Sequence, residues 1–255
     1  MLKDFCYSQN SLNTFKSCPM KFKYKYIDKI NWLKDELDER EYYENLKTGL
    51  DFHLLCERYF FGTEEGVQYL SEENKKRAEN FLEKIKQEVP IKKEKIYKSE
   101  YSLYCKIDKS KIQAKFDLVV IGNDSIEIWD WKTELKQINR KNAENRMQTI
   151  VYLFICTEVI PKIYNLDIPY ENISMNYFQP DFEDSRIRIE YSEEKHKKNR
   201  EIIKTYINSI EKLDFMYKNT KHCKYCEFNK LCNSEKIYIS GGGLCQLDLY
   251  LEEEE

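Results

Sequence analysis

Between residues 96 and 135 the chain changes from helical spacing to period two, and that switch constrains what the rest of it can become. "YKSEYSLYCKI", "KIQAKFDLVVIG" and "SIEIWDWKTEL" are rich in β-branched and aromatic residues, and turn residues at 108–110 and 122–125 part them. They read as a three-strand meander. On the N-terminal side the spacing is helical. Ser8 caps a short helix, Pro19 opens a second in "CPMKFKYKYI", and Leu46, Leu50, Leu54 and Tyr59 mark a longer helix over 40–61. A charged helix over 71–88 ends before Pro90. After the meander, 141–158 is helical again, "ENISMNYFQP" and "RIRIEYS" read as two further strands, and 192–215 as a long helix. Strands bracketed by helices predict an α/β fold, a central mixed sheet flanked by helices. A chain of 255 residues suffices for one large domain and an appendage, here expected over 1–236 and, around the glycines at 241–243, as a flexible tail over 237–255.

Several classes are excluded or disfavoured. The longest apolar run, "IVYLFIC" at 150–156, is far too short to span a membrane. The start, "MLKDFCYSQN", has no apolar h-region, so a cytoplasmic protein without a signal peptide is expected. Nine cysteines in such a chain argue for reduced thiols and metal binding over disulfides. "CKYCEFNKLC" carries three of them in ten residues; soft metals and iron–sulfur clusters normally take four thiolates, so a fourth must come from elsewhere. The net charge of −3 does not advertise a nucleic-acid binder, although lysines cluster in "KHKKNR" and "KFKYKY". The alternating aromatics of "KFKYKY" make it a candidate for backbone contact and base stacking, or simply a solvated helix face.

The strand "SIEIWDWKTEL" carries the chemistry. Alternation puts Ile128, Asp130 and Lys132 on one face, with Trp129 and Trp131 on the other. An acid and a lysine on an apolar strand are costly to bury unless paired or bound to a metal. Asp117, in the preceding strand, could lie beside Asp130, and a divalent cation between them would remove their repulsion. An Asp–Lys salt bridge is the simpler alternative.

Asp117 followed thirteen residues later by Asp130-x-Lys132 resembles the PD-(D/E)xK nuclease signature, with Phe116 where the name has Pro. "GLDFHLLCE", with Gly49, His53 and Glu57 at i, i+4 steps, is similar to the histidine helix of the RecB-like branch. "MQTIVYLF", with Gln148 and Tyr152 on one face, is similar to that branch's QxxxY motif. The resemblance implies a restriction-endonuclease-like core. It also implies Mg²⁺ or Mn²⁺ held by Asp117, Asp130, His53 and the carbonyl of Trp131, with Lys132 as the catalytic lysine and Gln148 and Tyr152 steadying Lys132 or the substrate. Glu57 and Glu100 are possible outer acids, Glu100 being equally well a solvated strand residue. In the iron–sulfur members of the branch, of the AddB and CRISPR-adaptation types, one cysteine lies in an N-terminal "CP" helix and three follow the nuclease core. Cys18, Cys223, Cys226 and Cys232 match, which implies a [4Fe–4S] cluster joining the two chain ends, with Zn²⁺ the chemical alternative. Cys6, Cys56, Cys105 and Cys156 read as ordinary buried thiols.

The expected function is a metal-dependent deoxyribonuclease, most simply an exonuclease acting on DNA ends or single strands in replication, recombination or repair. A CRISPR spacer-acquisition nuclease and a catalytically inactive DNA-binding scaffold are the alternatives. No phosphate-loop motif is present, so a helicase or CRISPR-adaptation protein would be a separate partner. "QLDLY" in the tail resembles the peptide by which bacterial proteins dock on the sliding clamp, with Gln246, Leu247, Leu249 and Tyr250 as anchors, and equally fits a packed or disordered end.

Overall fold

The computed structural model describes residue 2 and residues 4–30, 40–63, 72–134, 136–183, 186–212, 215 and 223–232. The side chain of Leu46 and the tail with Gln246, Leu247, Leu249 and Tyr250 lie outside the described residues, as does the expected boundary near 236.

Among the described residues six strands form one mixed sheet with β3 (Ser110–Ile121) as its spine. One edge of β3 pairs along its length with antiparallel β2 (Ile96–Ile107). Its other edge takes parallel β1 (Cys6–Ser8) at residues 111–113 and antiparallel β4 (Ile126–Trp131) at residues 118–121. Beyond β4 come parallel β5 (Ile173–Phe178) and antiparallel β6 (Arg186–Glu190). The β2–β3 turn has two residues, and Asp108 takes φ 53° there, the left-handed backbone that so tight a hairpin demands.

The alternation expected of β4 holds, and both its faces are buried. Ile126 and Ile128 enter the larger core, beneath α1 (Gln9–Ser17), α6 (Met147–Tyr164) and α7 (Glu193–Glu211). Trp129 and Trp131 enter a second core with Phe52 and Cys56 of α3 (Arg40–Phe61) and with Phe81 and Ile85 of α4 (Glu72–Glu88). At about 25 cal/mol per Å² of buried apolar area, two cores clamping one sheet hold the ends of β3 and β4 in fixed register.

The β2–β3 hairpin breaks its own alternation at one rung. Ile112, Ala114 and Phe116 pack in the larger core, and so do Val119 and Ile121, while Leu118 and Val120 pack in the smaller. The strand therefore exchanges faces at Asp117. Pairing is continuous on both sides, with Ser99 opposite Leu118 and Tyr101 opposite Phe116, so Glu100 and Asp117 share the interrupted rung. Glu100 adopts φ 49°, a conformation that costs a non-glycine residue about 1–3 kcal/mol and clusters at functional sites.

Three expected helices differ in detail. "CPMKFKYKYI" is a short α2 (Pro19–Phe22) continued by a π-helical turn over Lys23–Ile27. Its lysines are partly neutralised, Lys21 by Glu227 at 2.6 Å and Lys23 by Asp28 at 2.7 Å, and Tyr24 is buried against Phe228. The segment is thus a packed joint and not an open basic face. The helix expected over 141–158 divides into α5 (Arg140–Glu144) and α6. Arg146 is extended at ψ 138° where its guanidinium forks onto Glu134 at 2.8 and 2.9 Å. The long helix expected over 192–215, α7, ends at Glu211, four residues earlier than its spacing suggested.

Candidate active site

Position dictates the site. Leu118 pairs with Trp129, so the next rung sets Asp117 opposite Asp130 just where the β3–β4 ladder ends. The carboxylate of Asp117 takes over the missing backbone acceptor: the Trp131 N–H donates to its Oδ2 at 2.7 Å. With Glu100 across the other edge, acids from three neighbouring strands stand in one row. His53 reaches this row from α3. Its Nδ1 lies 3.6 Å from Asp117 Oδ1, and its Nε2 is 3.2 Å from the carbonyl oxygen of Trp131. α3 comes this close because Gly49 lacks a side chain; a Cβ there would meet Thr133 Oγ1 at 2.9 Å.

The acids are differently placed. Asp130 is 1% exposed: Lys132 Nζ lies 2.6 Å from its Oδ2, and Gln148 donates to its Oδ1 at 2.5 Å. Among the described residues no lysine forms an ion pair with Asp117. Burial, then the negative charge of Asp130, push its carboxyl well above the ordinary carboxylate range. Burial lowers the pKa of His53, which favours the neutral imidazole a metal needs. Burial also opposes the charge on Lys132, but Asp130 and Asp117 outweigh it and raise its pKa, so it is an ammonium. Glu100 pairs with the exposed Lys115.

His53, Glu100 and Asp117 offer ligand atoms all within 4.8 Å of one another, the arrangement of a divalent-cation site. The donor set fits such an ion: two carboxylates and an imidazole, with half-buried Asp117 facing the negative charge of Asp130. Sequence reading treated Glu100 as an outer acid; the structure puts it in this group and leaves Glu57 and Asp130 out of it. Glu57 contributes its backbone carbonyl to Ser99 Oγ at 3.5 Å. Gln148 holds Asp130 and not Lys132, while the Tyr152 hydroxyl donates to the carbonyl of Lys115 at 2.5 Å, two residues before Asp117. Lys115 and the Glu134–Arg146 pair were not singled out from sequence. The only signal for Lys115 was a lysine flanking the acid of a buried strand.

The four cysteines converge more loosely. Cys18 ends α1 and N-caps α2, where its sulfur accepts from the Lys21 N–H at 3.5 Å. Cys223, Cys226 and Cys232 lie on a compact turn closed by α8 (Asn229–Cys232), with Asn229 Nδ2 donating to the Cys223 carbonyl at 2.5 Å. Burial, then Cys226 and Cys18, raise the Cys232 thiol to about 11, so the N-terminal cysteine adjoins the C-terminal set. No three of these sulfurs lie within 4.8 Å of one another. Of the remaining described cysteines, Cys56 and Cys156 are buried and Cys6 and Cys105 half-buried.

Among the described residues no helix is long and apolar enough to cross a membrane. A search of curated proteins finds no significant match. Among solved structures, a candidate exonuclease from Eubacterium rectale aligns with a TM-score of 0.56 over 96% of this chain and 93% of its own, at 11% identity, a likeness of fold alone. The protein SSO0001 aligns over 91% of this chain and 87% of its own at 15% identity, with a TM-score of only 0.43. The family model of the PD-(D/E)XK nuclease superfamily matches residues 7–233, which takes in the acid row, Lys132 and all four clustered cysteines. The chain belongs to the PD-(D/E)XK nuclease superfamily.

Proposed function

We propose that this chain is a metal-dependent deoxyribonuclease acting on DNA ends or single strands, in replication, recombination or repair. The observation that carries the reading is the row Glu100–Asp117–Asp130 with His53 above it and Lys132 beside it. Mg²⁺ or Mn²⁺ would be held by Asp117 and His53, with Glu100, Asp130 and the Trp131 carbonyl as further donors; the imidazole favours Mn²⁺. Such an ion supplies positive charge against a phosphodiester and acidifies water. The chain's own residues do the rest. Lys132, fixed by Asp130, presents an ammonium where negative charge develops on the phosphate. Gln148 keeps Asp130 from turning away, and Tyr152 pins the β3 backbone that carries Asp117. A catalytically inactive scaffold would have no use for so many acids around one buried carboxylate.

For the cysteines, Cys18, Cys223, Cys226 and Cys232 are the proposed ligands of a [4Fe–4S] cluster, with Zn²⁺ as the alternative. Support comes from the resemblance: one cysteine in an N-terminal "CP" helix and three after the nuclease core is the placement of the iron–sulfur members of the RecB-like branch. The family match over 7–233 supports a single nuclease domain over 1–236 that includes this joint.

The test is digestion of end-labelled single- and double-stranded DNA with Mn²⁺ and with EDTA, using wild type and Lys132→Ala. Wild type should cleave only with the metal, and Lys132→Ala should lose at least about 100-fold in rate while melting as wild type does. Cleavage in EDTA, or a folded Lys132→Ala protein that cuts normally, would refute the reading.

A further inference from the structure

A lysine stands at each end of the acid row. Lys132 meets Asp130, and Lys115 of β3 meets Glu100. The two pairs are built differently. The Lys132 side chain is 20% exposed and is fixed where it stands by Asp130 and the ring of Tyr177, 5.9 Å from its centroid. The Lys115 side chain is 62% exposed, and its partner Glu100 is one of the three donors of the His53–Glu100–Asp117 group. Only the backbone of Lys115 is anchored, its carbonyl accepting from the Tyr152 hydroxyl. Glu100 sits on left-handed backbone at φ 49°, and an exposed ion pair stabilises by less than such backbone costs. The lysine therefore does not account for the strain, which sets this carboxylate among His53 and Asp117.

We infer that Lys115 couples metal binding to substrate binding: it neutralises Glu100 in the metal-free protein and passes to a DNA phosphate once Glu100 serves a divalent ion. The inference rests on the nuclease reading above and names a regulation of that same site. An ammonium is a compact charge on a flexible stem, so it can change partners without moving the strand. One carboxylate cannot serve lysine and ion at full strength. The metal-free pair thus weakens metal affinity and hides one positive charge from DNA. By reciprocity the released lysine makes each ligand favour the other.

Two titrations test it. Without DNA, free Mn²⁺ is followed by electron paramagnetic resonance, and Lys115→Gln should bind the ion roughly fivefold tighter than wild type. Fluorescein-labelled oligothymidine is then titrated against the slow-cutting Lys132→Ala protein, with saturating Mn²⁺ and with EDTA. Adding Lys115→Gln should lower the salt slope, log affinity against log salt, by about 0.7 with Mn²⁺ and leave it unchanged in EDTA. Lys115→Arg, which keeps the charge, should keep the parent slope. Lys115 is exposed, so these variants should fold, and an unaltered circular dichroism spectrum verifies it. Mn²⁺ affinity that is unchanged or weaker in Lys115→Gln would overturn the inference. So would a slope that falls equally in EDTA, the mark of a permanent contact, or one that falls in neither condition. If wild type still cleaves DNA with metal in those cases, the nuclease reading stands. Wild type that neither binds Mn²⁺ nor cleaves DNA overturns both.

Discussion

Asp117 is the residue on which the site's energetics turn. Its carboxyl is pushed up by burial and by Asp130, so the metal-free folded state holds a proton there that the unfolded chain would already have released. A raised folded pKa contributes stability that is complete below the unfolded value and is lost as pH rises through the folded value. Metal-free wild type should therefore lose stability relative to Asp117→Asn as pH climbs from the ordinary carboxylate range through that raised value. Denaturant unfolding of both proteins in EDTA across pH measures the difference, and a difference that grows in favour of wild type would contradict it. Added Mn²⁺ should reverse the trend, since protons and metal compete for one carboxylate. Glu100→Gln removes a donor and some repulsion, so Mn²⁺ affinity should fall about 10- to 100-fold with no loss of melting temperature. Of these residues the sequence made Asp117, Asp130 and Lys132 legible, because alternation and spacing suffice to align them. Glu100 was not legible as a ligand: its place depends on a left-handed φ and a face exchange inside a strand that reads as regular.

The proposed metal centre rests on the register fault in the hairpin, and α3 and α6 are its supports. Gly49→Val would drive a Cβ into Thr133 and push α3 off the sheet. We expect a lower melting temperature together with weaker Mn²⁺ binding, because His53 travels with the helix; unchanged values for both would show that α3 is not held by this contact. Tyr152→Phe should cost about 1 kcal/mol in denaturant unfolding, the hydroxyl being the partner of the Lys115 carbonyl. Its effect on cleavage should exceed that of an equally destabilising change elsewhere in α6, since it loosens the backbone behind Asp117. Helix and strand types were readable from periodicity along most of the chain. The break between α5 and α6 was not: Arg146 turns extended there and forks onto Glu134, a partner of which local spacing carries no trace. For the same reason Gln148 and Tyr152 were readable as one helix face, while their acceptors, Asp130 and the Lys115 carbonyl, were not.

Across the whole molecule, the joint between Cys18 and the 223–232 turn closes more than two hundred residues of chain. Closing so long a loop restricts the unfolded ensemble strongly, so loss of a ligand should harm stability more than chemistry. Protein purified without oxygen should contain iron and sulfide, and Cys18→Ser should lose both and melt several degrees lower. A fully loaded, stable Cys18→Ser protein would exclude Cys18 as a ligand. The Lys21–Glu227 pair and the Tyr24–Phe228 contact already hold the two ends together, so such a variant should fold well enough to assay. The central claim, that a fault in the β2–β3 hairpin and the end of β4 build a divalent-metal centre, is tested most directly by Mn²⁺ titration followed by electron paramagnetic resonance of the free ion. Wild type should show a tight site that Asp117→Asn and His53→Ala each abolish while remaining folded. Equal Mn²⁺ binding by wild type and a folded Asp117→Asn protein would contradict it.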